Sequence, residues 1–375
     1  IYVIGHKNPD TDSICSVIAY AELKKRLGYN AIPVRLGEIN RETDFVLKHF
    51  GVSVPIEITN VKAQVSDLNF DIVNTASPDI SVRTAWMIMN RNNIKTLPVV
   101  DDNKRFLGLV TLSDITEKYM DITEDNIIAN SKTPLHNIVD TLKGKVVQGS
   151  EEDFHTSGKV LIAAAPPEEM APFIQNGDIV ITGNRADSQY NAIENGANCI
   201  IITCGGQASK EVLELAGRRG CVVIETNIDT YTAARLINQS IPISYLMTKE
   251  NIISFNVDDF IDDVKVKMLQ TRFRSYPVID DTNKFIGLIS RYHLISQRKK
   301  KVILLDHNEK SQTVNGIEEA EILEIIDHHR VGDVQTVNPI YFKNEPVGST
   351  ATIIADLFFE NGITPAKNIA GLLCA

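Results

Sequence analysis

Sixteen residues of this chain occur twice in the same pattern, and that repeat limits what the chain can fold into. The run Thr96-Leu97-Pro98-Val99-Val100-Asp101-Asp102-Asn103-Lys104-Arg105-Phe106-Leu107-Gly108-Leu109-Val110-Thr111 is matched by Ser275-Tyr276-Pro277-Val278-Ile279-Asp280-Asp281-Thr282-Asn283-Lys284-Phe285-Ile286-Gly287-Leu288-Ile289-Ser290. The offset is 179 from Pro98 to Pro277, and Gly108 to Gly287 keeps it. Each copy reads as strand, polar turn, strand and short helix, preceded by an amphipathic helical stretch (82–90 and 258–269). Two strands and a one-sided helix bury little area alone, so the copies are expected to pair.

With 375 residues, the chain has room for two or three domains. A net charge of -10 argues against a surface that coats nucleic acid, and no nucleic-acid partner is expected. No run of about 18 apolar residues occurs, so no membrane partner is expected. The start, Ile1–Ile4, is strand-like and lacks a signal-peptide core; without an initiator Met it reads as trimmed. The five cysteines, Cys15, Cys199, Cys204, Cys221 and Cys374, form no CxxC pair. Reduced thiols and a cytoplasmic location are the economical reading.

Outside the repeats, residues 1–65 and 298–375 alternate strand and helix in the manner of a parallel α/β sheet. The apolar Ile1–Ile4 runs into Gly5-His6-Lys7-Asn8-Pro9-Asp10-Thr11-Asp12-Ser13, with Ser13 placed to cap the helix that follows. Val302–Leu305 runs into Asp306-His307-Asn308-Glu309, and Glu324–Ile326 into Asp327-His328-His329. Parallel strands deliver such ends to one edge of a sheet. Histidines and carboxylates gathered there suit two divalent metals about 3.5–4 Å apart, with Asp306 the natural bridge. Mixed nitrogen and oxygen ligands favour manganese or cobalt over magnesium. Such a pair polarises a phosphoryl oxygen and supplies a nucleophilic water at neutral pH.

Between the repeats lies a further α/β stretch. It holds Asp178-Ile179-Val180-Ile181-Thr182-Gly183-Asn184-Arg185, a helical segment at 187–195, the apolar run 199–203 and Gly205-Gly206. Glycines at strand ends accommodate a phosphate or a tight turn, and turns are commoner.

The repeats resemble a pair of CBS motifs, and the stretch between them resembles the DRTGG domain. The fold class expected is α/β: a parallel-sheet DHH domain interrupted by two CBS motifs that flank a DRTGG-type α/β domain. Boundaries are placed at 1–65 and 298–375 for the DHH domain, 66–126 and 241–297 for the CBS motifs, and 127–240 for the DRTGG-like domain. CBS pairs commonly bind adenine nucleotides. Gly108-Leu109-Val110-Thr111-Leu112-Ser113-Asp114 fits the family's ribose-holding run, whereas the second copy keeps Ser290 but has His293 where Asp or Asn is expected. The nucleotide contacts implied are Thr96, Thr111, Asp114, Ser275 and Ser290, with Arg291 and Tyr292 serving phosphate and adenine. The DRTGG-like domain is expected to pair subunits into a homodimer.

The strand-end clusters resemble the DHH phosphoesterase superfamily and, within it, the family II inorganic pyrophosphatases. The Asp10-Thr11-Asp12-Ser13 spacing, Asp306-His307-Asn308-Glu309 and Val347-Gly348-Ser349-Thr350-Ala351-Thr352 carry that likeness. It implies hydrolysis of pyrophosphate with two Mn2+ or Co2+ per site and Mg2+ accompanying the substrate. His6, Asp10 and Asp306 would hold one metal, and Asp12, Asp306 and His328 the other. His329 would contact substrate phosphate, with His307 and Asp327 orienting the ligands. The likeness also implies that AMP and ADP inhibit, and that ATP or diadenosine polyphosphates activate.

Family members carry one more metal-ligating Asp a little after the segment matching Ala370–Ala375, then a domain whose Lys and Arg clamp phosphate. A chain ending at Ala375 is therefore expected to hydrolyse pyrophosphate poorly. Two other readings stay open: a DHH phosphodiesterase acting on short RNA or cyclic dinucleotides, and a nucleotide sensor with an incomplete DHH domain.

Overall fold

The computed structural model describes residues 1–120, 126–295 and 299–375. In chain order the strands are β1 (Tyr2–Ile4), β2 (Ile32–Arg35), β3 (Ile56–Glu57), β4 (Thr96–Val100), β5 (Phe106–Thr111), β6 (Lys145–Gln148), β7 (Val160–Ile162), β8 (Ile179–Thr182), β9 (Cys199–Ile202), β10 (Val222–Glu225), β11 (Phe255–Asn256), β12 (Tyr276–Ile279), β13 (Phe285–Ile289), β14 (Lys301–Leu305), β15 (Glu321–Asp327) and β16 (Tyr341–Asn344). The helices are α1 (Thr11–Arg26), α2 (Arg41–Phe50), α3 (Val82–Arg91), α4 (Leu112–Met120), α5 (Ile127–Asn130), α6 (Leu135–Leu142), α7 (Pro167–Met170), α8 (Ala186–Glu194), α9 (Lys210–Arg219), α10 (Thr230–Ile237), α11 (Ile261–Leu269), α12 (Arg291–Ile295), α13 (Thr350–Glu360) and α14 (Lys367–Leu373). The chain divides into two compact units. One comprises Ile1–Phe70, Phe255–Arg274 and Ile289–Ala375, and the other Asp71–Ser254 and Ser275–Leu288. The expected boundary at 297/298 lies outside the described residues, as do residues 121–125 of the first expected CBS motif.

The first unit is built on a six-stranded sheet in the order β16-β15-β14-β1-β2-β3. All five pairings are parallel. Side chains alternate between its faces. Val3, Ile303 and Leu305 pack with α1, α2, α13 and α14 on one face, while Ile4, Val302 and Leu304 join Val34, Val314 and Ile325 on the other. Burial on both faces explains why Val302–Leu305 is continuously apolar. From β1 the chain builds outward to β2 and β3, then returns beside β1 as β14 and builds the other way. Strand order thus reverses between β1 and β14, the place where open parallel sheets leave a crevice beyond their carboxyl ends.

The second unit holds a five-stranded sheet, β6-β10-β9-β8-β7, with β6 antiparallel at the edge. In the repeats, β4 and β5 form one hairpin, and β12 and β13 are neighbours in another. The two hairpins meet at their turns. Phe106 N donates to Asn283 O at 2.9 Å and Phe285 N to Lys104 O at 3.1 Å, and the two phenyl rings stack 6.1 Å apart. Gly108 has a physical reason to lack a side chain, because a Cβ there would collide with the carbonyl oxygen of Thr248. Behind β9, the amides of Cys204, Gly205 and Gly206 donate to Ile228 O, Thr226 O and Thr203 O. The Gly205-Gly206 segment is therefore a backbone-bonded turn.

One expectation is corrected. Ser13 does not cap α1: the cap is Asp10, whose Oδ1 accepts from Ser13 N at 2.9 Å. The Ser13 hydroxyl instead accepts from His6 N at 3.2 Å and fills the space that a Cβ on Gly5 would take. Among the described residues no helix is long and apolar enough to cross a membrane.

Candidate metal centre

His6 and Asp10 follow β1, Asp306 follows β14, and Asp327-His328-His329 end or follow β15. These three strands are adjacent, so the clusters converge at the strand-order reversal. His6 Nε2 lies 3.4 Å from Asp306 Oδ2 and 3.6 Å from Asp10 Oδ1. On the other side, His328 Nε2 lies 3.4 Å from Asp306 Oδ1 and 3.9 Å from Asp12 Oδ2. Asp306 thus turns one oxygen to each imidazole. Such separations are long for hydrogen bonds. The two 3.4 Å separations to Asp306 match two ligands of one ion, which lie about 3.0–3.4 Å apart when each bond is about 2.1 Å, whereas Asp10 and Asp12 stand somewhat wider.

Two groups bring ligand atoms within 4.8 Å of one another: His6, Asp10 and Asp306, and Asp306, His328 and His329. His329 Nδ1 lies 3.9 Å from Asp306 Oδ1 but only 2.8 Å from Asp327 Oδ1. Asp12 stands farther back. Its carboxylate accepts from Thr350 N at 2.7 Å, Ala351 N at 2.9 Å and Ser16 Oγ at 3.3 Å.

The electrostatics fit a site made for cations. Burial alone would lower the His6 imidazole, but its contacts with Asp10 and Asp306 outweigh this and push it up to about 9. Asp10 is lowered, first by His6. Asp12 is raised, chiefly by burial and then by the Asp306 charge, against the Ala351 and Thr350 amides that favour its ionised form. His307 is buried and neutral, with burial as the main cause of a pKa lowered to about 4. Its Nδ1 lies 2.8 Å from Leu305 O, and its Nε2 has no hydrogen-bond partner among the described residues. The imidazoles of His6, His328 and His329 beside the carboxylates of Asp10 and Asp306 are the donor set a divalent ion would complete.

Behind these groups stands a polar layer. Asp327 is fully buried; its Oδ1 accepts from the His328 and His329 amides at 2.8 and 3.2 Å. Asn308 Nδ2 donates to Asp327 Oδ2 and, at 3.0 Å, to Arg330 O. His328 Nδ1 lies 3.0 Å from Val347 O, and Thr350 Oγ1 donates to Asp306 Oδ1 at 2.9 Å. Sequence reasoning gave Asn308, Val347 and Thr350 no role. The signal for Thr350 was Ser349-Thr350-Ala351-Thr352 ahead of Ile353-Ile354, a helix start whose free amides need an acceptor.

The expected nucleotide contacts are divided. Thr96, Thr111, Asp114 and Ser275 belong to the second unit, and Ser290, Arg291 and Tyr292 to the first. Asp114 Oδ2 accepts from Thr111 N at 2.7 Å and from Thr111 Oγ1 at 2.9 Å. In the second copy His293 Nδ1 stands in the same relation to Ser290, 3.0 Å from both N and Oγ. The imidazole therefore takes over the capping contact that Asp114 makes. Arg291 is turned onto the carbonyls of Met268 and Thr271, while Tyr292 is exposed.

Residues 65–121 and 241–300 match the CBS domain, and residues 137–240 the DRTGG domain. A cobalt-dependent inorganic pyrophosphatase of Clostridium perfringens is 51% identical over the whole chain, which spans 68% of that protein. A Thermotoga maritima protein named "Probable manganese-dependent inorganic pyrophosphatase" is 39% identical over the whole chain, again 68% of its length. Among solved structures, the CBS and DRTGG domains of the regulatory region of Clostridium perfringens pyrophosphatase, complexed with the activator diadenosine tetraphosphate, match with a TM-score of 0.60 and 44% identity. That match covers 61% of this chain and all of the other. Two CBS matches flanking a DRTGG match, with such identity over the full chain, mean that the chain belongs to the manganese- and cobalt-dependent inorganic pyrophosphatases that carry CBS and DRTGG domains.

Proposed function

We propose that the protein hydrolyses inorganic pyrophosphate to two phosphates, using Mn2+ or Co2+ at the strand-order reversal and Mg2+ with the substrate. The observation that carries this is Asp306, with one oxygen 3.4 Å from His6 and the other 3.4 Å from His328. His6, Asp10 and Asp306 hold one ion in this reading; Asp12, Asp306 and His328 hold the other. When bound, the ions supply Lewis acidity to a phosphoryl oxygen and a nucleophilic water at neutral pH. His329, half exposed and steadied by Asp327, faces substrate phosphate. His307 stays neutral and orients its neighbours. Phosphate release from pyrophosphate by the full-length protein, with Mn2+, Co2+ or neither, tests the assignment. Equal release without metal, or faster turnover of a dinucleotide than of pyrophosphate, would overturn it.

The same proposal extends to regulation by adenine nucleotides in a cytoplasmic homodimer. Supporting it are the likeness to the regulatory region solved with diadenosine tetraphosphate and the capped Thr111–Asp114 turn. Half-exposed Trp86 and Met87 on α3, beside a groove of about 740 Å3, support pairing through the second unit. Calorimetry with AMP, ADP, ATP and diadenosine tetraphosphate, with light scattering for the oligomeric state, tests both parts. No heat from any nucleotide would remove the sensor role.

A further inference from the structure

We propose that Thr350 is a positioning residue of the metal centre, holding the carboxylates of Asp306 and Asp12 in the orientation that lets each face His328. The inference rests on reading the site as a metal centre. Thr350 is fully buried and opens α13. Its hydroxyl donates to Asp306 Oδ1 at 2.9 Å and its amide to Asp12 Oδ2 at 2.7 Å. Ala351 N adds a bond of 2.9 Å to Asp12 Oδ1. Three donors from two successive residues thus reach two carboxylates that lie 294 positions apart in the chain (306 − 12).

Why such a device is needed follows from the geometry. A carboxylate turns easily about its Cβ–Cγ bond. Asp306 must present Oδ1 to one side and Oδ2 to the other, so pinning Oδ1 sets both. Among the described residues Asp12 has no Arg or Lys hydrogen-bond partner; its partners there are the two amides and Ser16. α13 itself is fixed, because Ile353, Ile354, Leu357 and Phe358 are buried in the core beneath the sheet. The chain entering this helix also holds His328, through Val347 O at 3.0 Å from Nδ1, leaving Nε2 as the outward nitrogen. One packed helix start therefore orients three of the groups that meet on the His328 side.

The test is a calorimetric Mn2+ titration of the metal-stripped full-length protein, wild type beside Thr350→Val and Thr350→Ser. Valine keeps the shape and removes the hydroxyl, whereas serine keeps it. Thr350→Val is expected to weaken Mn2+ binding by about 10–100-fold, and Thr350→Ser by no more than about threefold. Melting of the metal-free variants serves as the folding control; should the valine variant not fold, Thr350→Ala is read in its place. Binding by the valine or alanine variant as tight as wild type, or a serine variant as weak as either, overturns the proposal. A wild-type protein that takes up no Mn2+ would instead overturn the metal-centre reading itself.

Discussion

Asp306 carries constraints that no other residue of the site combines. It is buried, its backbone is left-handed at φ 61°, and its two oxygens face different imidazoles. Asp and Asn tolerate that backbone better than most residues. Asp306→Asn should therefore fold yet lose at least about a hundredfold in Mn2+ affinity, which calorimetry would read. His6 gives a pH prediction for the metal-free protein. Its folded value of about 9 lies above the ordinary value of about 6.5. The stability it adds is fully present below about pH 6.5 and is lost as pH rises through 9. The same proton competes with an ion, so apparent Mn2+ affinity should climb over that window, and His6→Gln should flatten both trends in urea melts and titrations. The imidazoles and carboxylates were legible because their chemistry is written in side chains that follow apolar strands. The Thr350 and Ala351 amides and the Val347 carbonyl were not, because backbone groups look alike in every residue.

Helices and hairpins explain the glycines and caps that the sequence displays. Gly371 in α14 lies so close to Phe50 of α2 that any Cβ would overlap the ring. Gly371→Ala should cost about 1–3 kcal/mol by overpacking, measured by denaturant melting. Ser349 Oγ accepts from Thr352 N at 3.3 Å as the cap of α13. Ser349→Ala should cost about 1 kcal/mol and, by fraying the turn that holds Asp12, weaken Mn2+ binding as well. Periodicity placed most elements within a few residues; the helix expected from 258 begins at Ile261. At the start of α1 it failed for a specific reason. Asp10 and Ser13 both suit an N-cap, and only the spatial demand of His6 N on the Ser13 hydroxyl decides between them.

At the scale of the molecule, metal binding to the folded state alone should raise stability. Mn2+ at a hundred times its dissociation constant is worth about 2.7 kcal/mol per site, so stripping the protein with chelator should lower its melting temperature, and restoring Mn2+ should reverse this. The repeat offset and the split α/β texture made the insertion readable from sequence. The two structural units were not readable, because Phe255–Arg274 of the second repeat clusters with the elements of the six-stranded sheet while Ser275–Leu288 does not. The pairing of β1 with β14, Tyr2 against Val302, has a consequence for synthesis. A ribosome adding about 5–20 residues per second takes some 15–60 s between the two strands. Throughout that interval β1 can pair with β2 on one side only, and Val3 and Ile4 face an open strand edge. The nascent chain therefore carries an exposed template for wrong pairing until β14 emerges, so its long insertion is made while that edge stays open.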